Sequence, residues 1–231
     1  MNAAPTWPVF YGSLADQLLL FSTEKHKLFD IIQSLSAKTP LMDYLKLDNP
    51  EFWEARDYEI DPFSVMSVFN RATTASHRYE LAMKIAGAIG MKKPTPPTVF
   101  HGIPYLDPRH SIFSGSETMW ELAFVARSDK PHSKDFIIAW DKAINIKGNG
   151  LGMLTIGLFW INADAYMALD KVSDPWIESK YGVEAPKDKC DGELYVKFLE
   201  ELREKTGEES WAAITLSAWS DAKGKKKLIG S

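Results

Sequence analysis

At 231 residues, with 45% hydrophobic and 25% charged side chains, the chain has the make-up of an ordinary globular protein long enough to bury a sizeable core. A net charge of −4 excludes a global basic field, so any nucleic-acid contact must come from a local patch. The single Cys190 excludes an intramolecular disulfide and a multi-cysteine zinc site, which fits a reducing, cytoplasmic setting, and no apolar run is long enough to cross a bilayer.

Met1 to Gly12 carries Pro5 and Pro8 and lacks the basic start and apolar run of a signal peptide. Ser13 is placed to cap one long helix from Leu14 to about Ala37, with Leu14, Leu18, Phe21, Leu28, Ile32 and Leu35 on one side. Pro40 ends it, and Leu41 to Lys46 reads as a short helical turn. Asp61-Pro62 opens the next helix, Asp as cap and Pro in the first turn, carrying Phe63, Met66, Val68 and Phe69. Thr74 or Ser76 starts another, which stops at Gly90.

Residues 92 to 115 are the longest stretch without periodicity. Pro94, Pro96 and Pro97 make its start extended, Val99-Phe100 could add a short strand, and so long a loop is a candidate ligand wall or a plain surface crossing. A helix follows over Met119 to Ala126, capped near Ser116.

The most informative stretch comes next. Phe136, Ile137, Trp140, Ala143 and Ile144 recur at helical spacing, Gly148, Gly150 and Gly152 form a turn, and Met153 to Ile161 is almost wholly apolar, as in a buried helix. Gly150-Leu151-Gly152 followed by Thr155 resembles the GhGxxT core of a helix-hairpin-helix element. That resemblance implies hairpin amides and a helix N-terminus turned to a nucleic-acid phosphate. In this register Gly148 stands where an apolar anchor belongs; sliding by two makes Ile146 the anchor, puts Asn149 at the other apolar position and loses Thr155. A tight turn inside a helical core is the alternative.

Beyond the hairpin, Asp174-Pro175 caps a short helix through Lys180. Asp191 to Lys205 is amphipathic, with Leu194, Val196, Phe198, Leu199 and Leu202 inward. Trp211 to Ala222 forms the last helix, before a basic run through Lys223, Lys225, Lys226 and Lys227 that reads as a solvated tail. The expected fold is mainly α: one multi-helix domain with a long Pro-rich loop and a helix-hairpin-helix-like element. It is divided into an N-terminal helical segment (1–50), a helical recognition domain (51–222) and a basic tail or linker (223–231).

Several segments occur in a telling order: Ile60 to Arg71 (IDPFSVMSVFNR), His101 to Leu106 (HGIPYL), Leu154 to Asp164 (LTIGLFWINAD), Leu169-Asp170 and Leu216 to Trp219. This order resembles the N-terminal region of McrB-like proteins, AAA+ motors of modification-dependent restriction systems, over about residues 55 to 220. The resemblance implies a domain that selects DNA, often by extruding a modified base, and implies an AAA+ motor and a nuclease subunit as partners. The motor's phosphate loop is missing here, since Gly224-Lys225-Lys226 lacks both the preceding glycine and the following Ser/Thr, so no nucleotide hydrolysis is expected. The chain then reads as a piece ending before the motor or as a stand-alone version of its N-terminal domain. After Leu169-Asp170, where the family carries small polar and basic residues, this chain has Lys171 to Trp176 (KVSDPW), which points to a different specificity.

On this reading the candidate phosphate contacts are Lys142, Lys147, Gly148, Asn149, Gly150, Gly152, Thr155 and Lys171, and the candidate base-pocket aromatics are Trp140, Trp160, Tyr166 and Trp176. Each lysine could equally be plain surface and each tryptophan plain core. The loop from Phe100 to Ser114 would assist. Asp170, 18 residues beyond Gly152, sits about where helix-hairpin-helix glycosylases keep a catalytic Asp, but it also suits a helix cap. His101 and His110 match no metal motif, and no metal or cofactor is expected. A protein-interaction module contacting the motor or nuclease is the competing class, and binding to membranes is not expected.

Overall fold

The computed structural model describes residues 6–36, 38–39, 50–70, 74–92, 103–106, 112–128, 133–207 and 209–229, without the side chains at 50, 223 and 225–229. Among these are eleven helices and no strand: α1 (Trp7–Leu19), α2 (Lys25–Ser36), α3 (Pro50–Glu54), α4 (Pro62–Ser67), α5 (Ala75–Ala88), α6 (Ser116–Ser128), α7 (Lys134–Asn145), α8 (Leu151–Ile161), α9 (Ser173–Tyr181), α10 (Gly192–Thr206) and α11 (Trp211–Ile229). The chain is therefore mainly α. The turn expected at Leu41–Lys46 and the strand at Val99-Phe100 lie outside the described residues.

The helix at the centre is α8. Every residue from Met153 to Ile161 is buried, as an all-round apolar helix must be, and α1, α4, α6 and α7 pack around it. Gly157 lets α4 sit close, for a Cβ there would lie 2.5 Å from Cδ1 of Phe63. Around this axis α6 lies along α7, α10 covers the other side of α7, and α11 closes on α9. The two N-terminal helices join the same core, α1 through α8 and α6, and α2 through α5.

Local chemistry sets the helix ends. Asp61, Thr74, Ser133 and Asp191 each accept the backbone N–H three residues ahead, satisfying a donor the first turn leaves free. Gly90 ends α5 at φ +79, a conformation open to glycine. Asp61 is itself buried, with Ser64 N–H and the Ser64 hydroxyl on its two oxygens at 2.9 and 2.6 Å; burial pushes its carboxyl above the ordinary range.

Three expectations about helices are corrected. The long first helix is two, because the chain turns over Leu20 to Thr23 with three-residue hydrogen bonds such as Phe21 N–H to Leu18 O (3.0 Å), and Ser22 and Thr23 favour such exits. Ser13 is not a cap: α1 already starts at Trp7-Pro8, and the Ser13 hydroxyl donates to Val9 O inside the helix. Leu194 is 47% exposed rather than inward, because the buried stripe of α10 runs through Tyr195, Phe198, Leu199 and Leu202 and Leu194 falls one residue off it. The backbone of α11 stays helical through the basic run to Ile229.

Candidate functional site

A cleft of 910 Å³ opens where the turn before α8, the 169–174 segment, the 186–189 loop and α11 meet. Its origin lies in the α7–α8 turn. Gly148 takes φ +104, which a residue with a Cβ adopts only under strain, and Asn149 turns inward. The Asn149 amide pins the turn: Oδ1 accepts Ser114 N–H at 3.0 Å, while Nδ2 donates to Ser114 O and to Ala143 O, both at 3.1 Å. Ile146 packs over Gly115. Ile146 as anchor with Asn149 inside is the slid register, and it is the one the packing matches.

Gly150 then starts α8 in ordinary extended geometry, with no side chain capping the helix and open space where a Cβ would be. The first-turn amides of α8 have no carbonyl within the helix to bond. Gly152, also on the cleft wall, allows a close approach, since its Cβ would lie 3.1 Å from Leu169 O. Thr155 is fully buried and turned away from the cleft. Its hydroxyl accepts Leu169 N–H at 3.0 Å and donates to Gly152 O at 3.3 Å, which sutures the 169–174 segment to α8.

That segment lines the cleft with two acidic residues, Asp170 and Asp174. Oδ1 of Asp170 accepts the N–H groups of Val172 and Ser173 at 2.8 and 2.7 Å, and Oδ2 accepts Trp219 Nε1–H at 3.3 Å. Asp170 thus does the capping work at the entry to α9 that Asp174 was expected to do; Asp174 already lies inside the first turn. The Asp174 Oδ1 is buried without a hydrogen-bond partner. Burial, and secondly the negative charge of Asp170, push the Asp174 carboxyl up to about 7.

The aromatic wall is Tyr105 against Trp219, ring centres 5.5 Å apart. Tyr105 is held from both sides: Pro104 O accepts Trp160 Nε1–H at 3.0 Å and Leu106 N–H donates to Asn70 O at 2.9 Å. Asn70 is in turn fixed by Tyr11, whose hydroxyl donates to its Oδ1 at 2.5 Å. Lys171, Lys187 and Lys189 stand exposed around the opening, Lys187 paired with Glu184 at 2.6 Å. Asp188 between the last two adopts φ +53, the left-handed region that Asp tolerates better than most residues.

The structure brings together Gly150, Gly152, Asn149, Asp170 and Lys171 from the sequence candidates, and relocates the others. Trp140, Trp160 and Tyr166 are fully buried and cannot stack on a ligand without the core opening. Two of them work as pins: Trp160 for the Tyr105 loop, and Trp140, stacked on Tyr195 at 4.6 Å, for the 186–190 loop through Nε1–H to Cys190 O. Trp176 is half-buried outside the cleft, its Nε1–H on Asp221 and Lys180 above its ring. Lys142 is engaged by Glu121 at 2.8 Å; Lys147 and Gly148 are exposed but do not line the cleft. His101 and His110 lie outside the described residues. Sequence reasoning named the loop that carries Tyr105 as a candidate ligand wall without singling out Tyr105, and missed Asp174 and Trp219 as cleft residues, although Tyr105 and Trp219 both belong to the segments that carry the family resemblance.

Among the described residues no cluster of His, Cys, Asp and Glu is arranged to hold a metal ion, and no helix is long and apolar enough to cross a membrane. No curated protein and no solved structure matches the chain. The family described as Domain of unknown function (DUF8425) matches it over residues 7–221, and the chain belongs to that family.

Proposed function

We propose that this chain is a DNA-recognition domain that receives an extruded base in the cleft beside α8, as the target-selecting part of an McrB-like restriction system. The observation that carries the reading is that the uncapped, open start of α8 at Gly150 and the Tyr105–Trp219 pair share one cleft. Helix N-terminal amides suit a phosphate, and an aromatic wall suits a base, worth about 1–3 kcal/mol per stacked base. Lys171 and Lys189 at the opening supply two cations for phosphate contacts. Asp170 is committed to three donors, which fits a positioning role better than activation of water.

The test is fluorescence-anisotropy binding to matched unmodified and cytosine-modified duplexes at two salt concentrations, with a Lys171→Glu/Lys189→Glu variant alongside. The expected result is preference for one duplex, affinity that falls with salt, and a salt slope shallower by about 2 in the double variant. Absence of binding to every duplex at low salt overturns the proposal.

A second reading, contact with an AAA+ motor or a nuclease subunit, is favoured by Val9 on α1, Leu20 just past its end and Phe124 on α6, large apolar side chains 73%, 69% and 57% exposed. Such an apolar interface would be insensitive to salt.

A further inference from the structure

We infer that Asp174 is a proton-controlled gate on the cleft: its carboxylate repels a phosphate drawn to the start of α8, and protonation lifts that repulsion. The gate regulates the base-pocket site and rests on that reading.

The charges around the cleft are evenly matched. Among the described residues, Asp170, Asp174 and Asp188 line it together with Lys171, Lys187 and Lys189. With all six ionised their charges cancel, and Lys187 is further occupied by Glu184 at 2.6 Å. A balanced cleft offers a polyanion little beyond the first-turn amides of α8. Loss of one carboxylate charge leaves it net positive.

Donor supply decides which carboxylate takes the proton. Asp170 accepts three N–H groups, which favour its ionised form. Asp188 is exposed, so water solvates its charge. Asp174 is half-buried, and its Oδ1 is out of contact with solvent and has no donor. Its carboxyl receives only the backbone N–H of Asp170, and the like charge of the Asp170 side chain acts on it. Burial and that charge both favour the neutral form and push the Asp174 carboxyl up to about 7. The neighbouring elements do not compensate. No residue of α8 is ionisable, no charged residue of α10 lines the cleft, and Asp221 on α11 is held by Trp176 Nε1–H. The gate needs no contact between Asp174 and the guest, because the charge acts through space. By linkage a bound phosphate favours the protonated form in turn.

The test is anisotropy binding of the two matched duplexes from pH 5.5 to 8.5 at constant ionic strength, with Asp174→Asn and Asp188→Asn beside the parent. Phosphodiesters keep their charge over this range. Histidine protonation acts on all three proteins alike and cancels in their affinity ratios. Asp174→Asn stands in for the neutral carboxyl, so it should match the parent at pH 5.5 and bind roughly fivefold tighter at pH 8.5. Asp188→Asn should differ from the parent by one constant factor. A constant ratio for Asp174→Asn, or a ratio for Asp188→Asn that changes in the same way, overturns the gate and leaves the base pocket standing. Failure of every duplex to bind at every pH overturns the reading beneath it. Carbon-13 NMR of the Asp174 carboxyl follows the gate in the parent, without a variant that has to fold. Its titration should move to higher pH when duplex is added, and no movement overturns the gate.

Discussion

Trp219 Nε1–H donates to Asp170 Oδ2 at 3.3 Å, so the last helix is tied to the first turn of α9 through a carboxylate that also receives two backbone amides. The contact fixes one ring of the cleft against Tyr105. Trp219→Phe keeps a ring and loses the donor, so it should cost about 1 kcal/mol of stability while leaving DNA binding within a few-fold of the parent. Trp219→Ala loses the stacking surface and should weaken binding by about tenfold or more. Urea unfolding and anisotropy titrations on the same preparations check both; equal binding by all three proteins would remove Trp219 from the site.

Asp174 should give the fold a pH dependence of definite sign. Its carboxyl titrates near 7 in the folded protein, against an ordinary value of 3.8. Between about pH 4 and 7 the folded state therefore holds a proton that the unfolded chain has released, and stability falls as pH rises through that window. Below the window both states are protonated, and above it both are ionised and the penalty is constant. Asp174→Asn removes this component, while buried Asp61 contributes alike to both proteins. The Tm of the variant minus that of the parent should grow from pH 4.5 to pH 7 and then level off; parallel Tm curves would refute the assignment.

The parts of this architecture legible in the sequence are those set by near neighbours. Asp61-Pro62, Thr74, Gly90 and Asp191 each act within a turn of where they stand, and the glycines between α7 and α8 announce a turn whatever surrounds it. The cleft was legible in that turn, in Asp170 and Lys171, and in the loop that carries Tyr105, but not as one assembled site. Its aromatic wall pairs Tyr105 with a residue far along the chain at Trp219, and no local period reports such a pairing. Nor does a tryptophan announce which way it points: Trp140 and Trp160 do support the site, but through indole N–H groups on Cys190 and Pro104 carbonyls, from inside the core. Asn149 stands among the candidate phosphate contacts as part of the hairpin, and only the folded contacts reveal its amide as the peg on which the turn hangs.

Asn149→Ala tests that peg. The substitution removes three hydrogen bonds to backbone groups and leaves the half-buried N–H and C=O of Ser114 without their side-chain partner, while Ala143 O keeps the N–H of Ile146. Unsatisfied buried polar groups set the cost, about 2–3 kcal/mol in all. The midpoint of urea unfolding should fall with little change in slope, and the amides of Ser114 and the α7–α8 turn should lose hydrogen-exchange protection first. A variant as stable as the parent would mean that Asn149 merely fills space.

Two glycines on helices should respond to alanine with opposite signs. Gly87 is exposed on α5, has no left-handed backbone angle and has nothing within 4 Å of where a Cβ would be. Alanine there restricts the unfolded chain and favours the helix, so Gly87→Ala should add about 0.5–1 kcal/mol. Gly157 gains the same propensity on α8, but its Cβ would lie 2.5 Å from Cδ1 of Phe63 and 3.2 Å from Cζ of Phe113. Both rings are fully buried, with their centres 5.3 Å apart, so neither can swing into solvent. The overpacking costs about 1–3 kcal/mol, which outweighs the propensity gain and forces α4 away from α8. Because α8 also starts at the cleft, a shift along it should disturb the Gly152–Leu169 approach, and Gly157→Ala should lose binding as well as Tm. Thermal melts of the two variants check the pair. If Gly157→Ala melted as high as Gly87→Ala, the close seating of α4 on α8 would be wrong.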